Sequence, residues 1–330
     1  MKYRELGKSG IPVSEIGFGA WGIGGRTAGA TSYGDTDDKV STAALDKALQ
    51  LGINFFDTAN VYGDGHSESL LGEVLSPQRH RIVISTKAGF TDYRAPADFS
   101  PAALRLSLEG SLRRLGTDYV DLLMLHDPDP QLAGLDQTFA EMERLKSQGK
   151  IRAAGVSVRT PEDCPAFIER FGVEAIQVNL NLMDQRLIDI GALEAAAAAG
   201  CAIIARTPLC FGFLADGLDE TMTFDEADHR SRWPPEQLRR WREGRRMFAG
   251  ALAKGGSPSM AQTALRFCLS HTGVATAIPG IMTAEEAVDN ASASELGPLS
   301  EGELAEIHKI YCENSFFAER PTVPLAMADK

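Results

Sequence analysis

The sequence lacks long apolar runs, an excess of basic charge and an apolar leader. No stretch approaches the roughly 18 consecutive apolar residues of a membrane-spanning helix. The formal net charge is −12, from 33 Lys and Arg against 45 Asp and Glu, which argues against a nucleic-acid-binding protein. The first residues are charged and contain no hydrophobic core of a secretory signal, so we expect a cytoplasmic protein.

Cysteine is also scarce. The five cysteines are scattered and never form C-x-x-C, which excludes a recognisable disulfide framework or zinc cluster and fits a reducing compartment. The six histidines show no H-x-x-x-H or H-x-H spacing, so no metal site is predicted. Hydrophobic residues make up 44% of the 330 residues, enough for a large core, and we expect residues 1–330 to form a single domain.

Short apolar segments alternate with amphipathic stretches along most of the chain. Several segments are almost continuously hydrophobic, which is typical of parallel strands buried on both faces. Helical patterns lie between them, for example at 37–51 and at 100–116, where Ser100 is the expected N-cap. Eight such strand–helix units predict an α/β fold, a (β/α)8 TIM barrel. The predicted strands are 16–20, 53–59, 82–88, 120–126, 151–158, 175–180, 202–208 and 276–280.

Two additions to the barrel are expected. Residues 3–14 resemble a β-hairpin that could plug the bottom of the barrel. A long insertion follows the seventh strand, over residues 209–254, and such an insertion over the top is either functional or a solvated spacer. Its arginines could recognise an anionic substrate, but the favoured interpretation is a solvated helix face. They are Arg230, Arg232, Arg239, Arg240, Arg242, Arg245 and Arg246.

The glycines near the first strand imitate a dinucleotide fingerprint. Gly17, Gly19 and Gly22 spell G-x-G-x-x-G, and Asp37 and Asp38 follow after a short interval. A Rossmann loop must open directly into a helix whose N-terminus meets the pyrophosphate. Here the chain continues as a Gly- and Thr-rich loop, so we reject a Rossmann site.

Four polar residues stand at the ends of consecutive predicted strands. Asp57 ends the second strand and Tyr62 follows in a glycine-rich loop, Lys87 ends the third and His126 ends the fourth. The carboxyl ends of parallel barrel strands share one face, so these side chains should converge. Each residue alone has an ordinary structural explanation. Their joint arrival at one face favours a catalytic site.

The chemistry of this quartet is coherent. An ammonium beside a tyrosine should lower its pKa from about 10, and a carboxylate should keep the lysine charged. The histidine can donate a hydrogen bond to a substrate oxygen, and the tyrosine can then protonate a carbonyl as hydride arrives. No side chain supplies hydride, so a cofactor is required.

The chain resembles the aldo-keto reductase superfamily over nearly its whole length. The resemblance lies in FFDTANVYGDGHSESLLGEVL, ISTKAG, LRRLGTDYVDLLMLHDPD, GKIRAAGVS, IQVNLNLMDQR and IPG followed by Asn290. The layout is most similar to bacterial reductases related to the potassium-channel β-subunits. The resemblance implies a catalytic tetrad of Asp57, Tyr62, Lys87 and His126, with Tyr62 as proton donor. It also implies an extended nicotinamide cofactor without a Rossmann fold.

The resemblance also assigns cofactor contacts. Ser157 and Gln177 match residues that hold the nicotinamide carboxamide, although Val158 replaces the usual Asn, and Asn179 could substitute for it. Arg206 stands where many relatives stack an aromatic on the ring, a role that a planar guanidinium can fill; it could also be a salt-bridged strand end. The remaining implied contacts are Gly19, Trp21, Asp57, Pro208, Leu209, Gly212, Leu214 and Gly280.

The adenosine end departs from the family pattern. Met282 stands at the usual arginine position and Glu286 at the usual glutamine position, while Asn290 is retained. Arg or Lys usually neutralises the 2′-phosphate of NADPH, and a glutamate would repel it. NADP(H) stays the favoured cofactor, but this departure makes NAD(H) an alternative; Glu286 could also simply face solvent.

The substrate pocket is expected to be aromatic. Trp21, Phe90, Tyr93 and Phe211 could line the mouth above Tyr62 and His126, which favours apolar or ring-shaped carbonyl compounds as small-molecule substrates. The favoured function is reversible NAD(P)H-dependent reduction of an aldehyde or ketone. The alternatives are a cofactor-sensing regulatory subunit and a double-bond reductase or sugar-modifying variant; the retained His126 disfavours the double-bond version. The oligomeric state is not predicted.

Overall fold

A parallel sheet of eight strands forms the centre of the protein. A computed structural model describes residues 1–27, 31–216, 222–252 and 257–318. A two-stranded antiparallel hairpin comes first, and the eight parallel strands follow in chain order, each paired with the next. The hairpin strands are β1 Tyr3–Glu5 and β2 Pro12–Ser14; the parallel strands are β3 Phe18–Gly19, β4 Phe55–Asp57, β5 Val83–Ala88, β6 Val120–His126, β7 Ile151–Ser157, β8 Ala175–Asn179, β9 Ala202–Arg206 and β10 Val274–Ala277.

The sheet curls until its first and last strands meet. Parallel bridges pair Ile16 with Ala277 and Gly19 with Gly280. Three backbone hydrogen bonds of 2.8 to 2.9 Å cross this seam, from Gly17 N to Ala277 O, from Gly19 N to Pro279 O and from Ala277 N to Glu15 O. The seam turns an open sheet into a barrel and confirms the predicted (β/α)8 architecture.

Helices follow the barrel strands, as the amphipathic patterns predict. The side chain of Ser100 accepts a hydrogen bond from Ala103 N, so the predicted N-cap is confirmed, and Gly116 ends that helix in a left-handed conformation. The helices are α1 Asp38–Gln50, α2 His66–Leu75, α3 Pro101–Leu115, α4 Leu135–Ser147, α5 Cys164–Ala166, α6 Arg186–Asp189, α7 Ala192–Ala198, α8 Pro235–Leu252, α9 Met260–Leu269, α10 Ala284–Leu296 and α11 Glu301–Glu313.

The hairpin seals the amino-terminal end of the barrel. Leu6, Ile11 and Val13 are buried in one apolar cluster with Phe55 and Val83, which begin barrel strands β4 and β5. Apolar burial of this kind contributes roughly 25 cal/mol per Å² of area removed from water. The expectation that the hairpin plugs the bottom is therefore confirmed.

The insertion after β9 lies on the opposite end and contains α8. Two of its arginines form ion pairs within the chain: Arg239 pairs with Glu236 and Glu243, and Arg245 pairs with Asp216. These intrachain pairs support the solvated-face interpretation over an anion site.

The loop after β3 differs from a Rossmann loop. A short 3₁₀ turn at Gly22–Gly24 follows the strand, and α1 begins only at Asp38, so the glycine pattern does not open into a helix. Within the described ranges, no helix combines the length and apolarity needed to span a bilayer.

Candidate active site

The loop after β4 presents Tyr62 at the carboxyl end of the barrel. Gly63 has a φ of 59°, and a Cβ there would come within 1.9 Å of the Gly24 carbonyl oxygen, so only glycine fits this position. The loop thus packs directly against the turn after β3. Tyr62 is buried, with 8% of its surface exposed, and its position is fixed by this close backbone contact.

Lys87 binds Asp57 and Tyr62 at the floor of the site. Its Nζ lies 2.7 Å from Asp57 Oδ2, 2.8 Å from the Thr58 carbonyl oxygen and 3.2 Å from Tyr62 Oη. The Lys87 side chain is fully buried, so its charge depends on these partners. Three of the four predicted residues therefore form one hydrogen-bonded chain.

Asp57 has two further partners that the sequence analysis did not assign to it. Ser85 Oγ donates to Asp57 Oδ1 at 3.1 Å, and Gln177 Nε2 donates to the same oxygen at 2.8 Å. Ser85 lies two residues before Lys87 on β5, so the alternation of a strand places both on one face. Gln177, expected at the carboxamide, thus also orients the carboxylate from across the barrel.

His126 lies across the site from Tyr62. The two ring centroids are 6.2 Å apart and nearly perpendicular. His126 Nδ1 is enclosed and has no hydrogen-bond partner. The single proton of a neutral ring is therefore favoured on Nε2, which makes Nε2–H a hydrogen-bond donor.

Burial controls the protonation states of this site. It lowers the pKa of His126 to about 3, so the ring is neutral at pH 7. Burial, reinforced by Asp57, raises the pKa of Tyr62 well above its usual value. The expected lowering of the Tyr62 pKa by Lys87 is thus outweighed. Tyr62 keeps its proton near neutral pH, as a proton donor must.

Aromatic side chains surround the exposed edge of Tyr62. Trp21, Phe90 and Tyr93 pack against the small cluster that contains it. Phe90 and Tyr93 also lie 5.4 and 5.9 Å from the His126 ring, centroid to centroid. Three of the four predicted mouth residues therefore meet at the tetrad.

Phe211, the fourth, packs elsewhere. Its ring lies 5.7 Å from Trp233 and 5.5 Å from Trp241, in an aromatic cluster of the insertion. His229 links it to the mouth, because this ring contacts both Phe211 and Trp21. Its expected role in substrate contact stays a prediction.

Arg206 is held at the end of β9 by three neighbouring acceptors. Its Nε donates to Asn179 Oδ1 at 3.0 Å, its Nη1 to Ser157 Oγ at 3.1 Å and its Nη2 to the Val158 carbonyl oxygen at 2.9 Å. These bonds fix the plane of the guanidinium beside Ser157. Asn179, considered as a substitute for the missing amide at 158, accepts from Arg206 through its Oδ1, and its role toward a carboxamide stays a prediction.

Asp127 adds a carboxylate that the sequence analysis did not single out. Its Oδ1 lies 3.3 Å from Ser157 Oγ and 3.6 Å from Arg206 Nη1. Its place directly after His126 in LHDPD was the available signal. The carboxyl end of the barrel therefore carries a second ion pair above that of Lys87 and Asp57.

The loop after β9 folds tightly on itself. Gly212 N and Leu214 N both donate to the Leu209 carbonyl oxygen, at 2.9 and 3.0 Å. Pro208 is buried, and Leu214 is fully buried in the core, so its side chain supports the loop rather than facing a ligand. The main chain of this loop remains the part expected to meet a pyrophosphate.

The predicted adenosine residues lie beside the seam and at the start of α10. A Cβ on Gly280 would meet only open space, and Asn290 is buried on α10. Glu286 Oε2 accepts hydrogen bonds from Met282 N and Thr283 N, at 2.7 and 3.3 Å, as part of a capping box. The Met282 side chain approaches Gly22 rather than a basic partner.

These residues fit a nicotinamide dinucleotide. Hydroxyl and amide groups of Ser157 and Gln177 suit a carboxamide, and the planar Arg206 suits a ring face. Gly280 is exposed, and a Cβ there would meet nothing within 4 Å, so its main chain is accessible to a ligand. Among the described residues, no cluster of His, Cys, Asp and Glu could hold a metal ion.

Comparison with known proteins identifies the family to which the chain belongs. The sequence model of the Aldo/keto reductase family matches residues 15–312. The chain belongs to the aldo/keto reductase family. Its members are oxidoreductases that bind nicotinamide cofactors and act on small-molecule carbonyl compounds.

Several aldo/keto reductases are similar over most of their length. An aldo-keto reductase of Bacillus subtilis, YhdN, is 34% identical over 74% of this chain and 72% of its own. An L-galactose dehydrogenase of Arabidopsis thaliana is 28% identical over 89% of this chain and 88% of its own. The holo form of aldo-keto reductase AKR11C1 from Bacillus halodurans superposes with a TM-score of 0.78 at 27% identity, covering 97% of this chain and 99% of that one.

Proposed function

We propose that this protein reduces an aldehyde or ketone to an alcohol, reversibly, with a nicotinamide cofactor. The observation that carries the proposal is the buried chain of Asp57, Lys87 and Tyr62 facing His126. A cofactor bound here supplies hydride to the carbonyl carbon. The chain itself must supply binding, orientation and a proton.

The proton comes from Tyr62. Burial keeps its hydroxyl protonated at pH 7, and Lys87 Nζ, 3.2 Å away, stabilises the negative charge that develops on Oη as the proton leaves. Asp57 holds the ammonium in place, and Ser85 and Gln177 hold Asp57. In the oxidation direction the same phenolate accepts the proton.

His126 orients the substrate. Its neutral ring donates from Nε2 to the carbonyl oxygen, which places that oxygen between His126 and Tyr62. Two donors on one oxygen polarise the carbonyl bond. The perpendicular packing of Phe90 and Tyr93 on His126 keeps the ring in this orientation and excludes water.

The cofactor would lie across the ends of β7 to β10. Ser157, Gln177 and Arg206 would hold the nicotinamide, and the main chain of 208–214 and Gly280 the rest. Glu286 bears on the choice between NADP(H) and NAD(H). Its carboxylate occupies the N-terminus of α10, where a phosphate would otherwise bind, and it counts against a 2′-phosphate there.

The substrate would be a neutral, partly apolar carbonyl compound. Trp21, Phe90 and Tyr93 form an aromatic wall, which favours ring-shaped or apolar substrates. The similar L-galactose dehydrogenase brings keto-sugars and aldoses into the set to test.

The test is absorbance of reduced nicotinamide with a panel of aldehydes, ketones and keto-sugars. We expect wild type to consume NADPH or NADH, and Tyr62→Phe to lose at least about 100-fold in kcat, because general-acid catalysis contributes this much. Tyr3→Phe serves as the matched control, because it removes a tyrosine hydroxyl from the hairpin at the other end of the barrel and leaves Tyr62 in place. Unchanged turnover in Tyr62→Phe would refute the proposal.

A further inference from the structure

Asp127 has an unusual backbone. Its φ is 56°, in the left-handed region, and Pro128 follows it. A residue before proline is normally confined to extended conformations, so Asp127 is strained on two counts. Its backbone N donates to the Ser157 carbonyl oxygen at 2.8 Å, which holds the strained turn against β7. Strain of this kind persists where the surrounding structure demands a particular side-chain position.

The strained turn places a carboxylate against two residues assigned to the nicotinamide. Asp127 Oδ1 lies 3.3 Å from Ser157 Oγ, and the same hydroxyl accepts from Arg206 Nη1 at 3.1 Å. The direct separation of Asp127 Oδ1 from Arg206 Nη1 is 3.6 Å. Both side chains are about one-quarter exposed, at 24% and 23%, so water screens them only in part.

The charges of Asp127 and Arg206 have opposite effects on the ionisable groups of the site. Burial dominates the pKa values of Tyr62, Lys87 and His126, and in each case Asp127 shifts the pKa upward while Arg206 shifts it downward. Because the Asp127 carboxylate acts electrostatically on all three groups, it would also act on a nicotinamide ring bound between them. The oxidised nicotinamide ring carries a positive charge and the reduced ring carries none.

We propose that Asp127 is a positioning residue whose carboxylate balances Arg206 and favours the oxidised cofactor over the reduced one. The inference rests on the proposed function, because it requires the nicotinamide to lie beside Ser157 and Arg206. Without the carboxylate, the guanidinium of Arg206 faces the cationic ring uncompensated. The consequence is a change in the ratio of two affinities, which sets the redox equilibrium of the bound cofactor.

The experiment measures dissociation constants of oxidised and reduced cofactor, without substrate, by calorimetry. The oxidised and reduced forms are those of NADP(H) or of NAD(H), whichever pair wild type binds more tightly. Asp127→Asn keeps the size and removes the charge. We expect its ratio of oxidised to reduced Kd to rise about tenfold, the order that Coulomb's law gives for one partly screened charge.

Three further variants sharpen the result. Asp127→Glu should restore the ratio to within about twofold, because it keeps the charge. Arg206→Gln should shift the ratio in the opposite direction. Asp129→Asn, an exposed residue of the same loop, is the matched control and should leave both constants unchanged.

Equal weakening of both cofactor forms in Asp127→Asn, with an unchanged ratio, would mean that Asp127 only supports the loop, and the inference would be overturned. That result leaves the proposed function intact if Tyr62→Phe still abolishes turnover. Failure of wild type to bind either form overturns the proposed function and the inference together.

Discussion

The two ends of the barrel differ in whether residues other than glycine adopt left-handed backbone conformations. At the amino-terminal end, the turns that lead into strands use glycine, for example Gly52, Gly149 and Gly200. At the carboxyl end, glycines such as Gly63 and Gly212 are joined by five non-glycine residues with positive φ, in the loops after β4, β6 and β9. In the described part of the chain these are all such residues: Asp64, Asp127, Thr207, Cys210 and Phe211.

This difference shows where the protein tolerates strain. Glycine meets the conformational need of a turn at no steric cost, so the amino-terminal end is built for stability. Side chains in left-handed conformations cost of order 1 kcal/mol each and persist where their positions matter. The strained end is also the end that holds the tetrad and the ion pair of Asp127 and Arg206. Mutations at each end can therefore distinguish effects on stability from effects on catalysis.

The largest effect is expected at the carboxyl end, for Lys87→Met. This change leaves Asp57 buried without its cation and should lower the free energy of unfolding by about 3–5 kcal/mol, while carbonyl reduction is lost. Urea unfolding and steady-state rates measure the two effects. The double variant Lys87→Met/Asp57→Asn should recover part of the stability and none of the activity; recovered activity would contradict the roles given to both residues.

At the amino-terminal end, Gly7→Ala should lower stability without touching the chemistry. Gly7 has a φ of 54°, and a Cβ there would lie 2.4 Å from the Gly200 carbonyl oxygen. We expect a loss of about 2–4 kcal/mol in the free energy of unfolding, with kcat of the folded enzyme unchanged. Gly10→Ala is the matched control: it has a similar φ of 65°, but its Cβ would meet nothing within 4 Å, so it should cost only about 1 kcal/mol. A fall in kcat would show that the ends are coupled.

His229 should make the carboxyl end sensitive to acid. Burial lowers its pKa to about 3, and neither ring nitrogen has a hydrogen-bond partner. The unfolded chain binds a proton near pH 6.5 that the folded chain does not, so stability falls as the pH drops from about 6.5 towards 3.

The test compares unfolding free energies at pH 7 and pH 5. The loss on acidification should be smaller in His229→Phe than in wild type by about 2 kcal/mol, from 1.4 kcal/mol per pH unit. His80→Gln, at an exposed position, should behave like wild type. Equal acid sensitivity in His229→Phe and wild type would contradict this prediction, because it would mean that His229 finds a hydrogen-bond partner in solution and is protonated in the folded chain.

The smallest effect is expected from relieving strain at Asp64. Asp64 is exposed and has a φ of 52°, so Asp64→Gly removes strain without loss of packing. Stability should rise by up to about 1 kcal/mol. Asp129→Gly is an exposed control without a positive φ and should lower stability by a few tenths to about 1 kcal/mol. A destabilised Asp64→Gly would place the strain elsewhere.

Periodicity in the sequence was enough to predict the strands, the hairpin and the order of the barrel. The buried strands are continuous apolar runs, and strand ends of a parallel barrel share one face, so the sequence alone predicts that Asp57, Lys87 and His126 lie together. Local hydrophobic pattern and one topological rule determine these features.

Contacts across the barrel were beyond such reasoning. The bond from Gln177 to Asp57 joins residues 120 positions apart, and the capping role of Glu286 depends on the start of α10. The pKa of Tyr62 depends on burial against a neighbouring charge, which sequence proximity does not measure. The packing of Phe211 against Trp241 depends on its positive φ, which no sequence pattern signals.

The seam between β3 and β10 has a consequence for association. β3 is two residues long, and three backbone hydrogen bonds join it and its neighbours to the last strand. Without them, the closed barrel would be an open sheet with two edge strands. An edge strand has unpaired backbone N–H and C=O groups, which can pair with a strand of another molecule. Loss of the seam would therefore cost more than its own hydrogen bonds, because it would convert a surface without edges into one able to recruit a second chain.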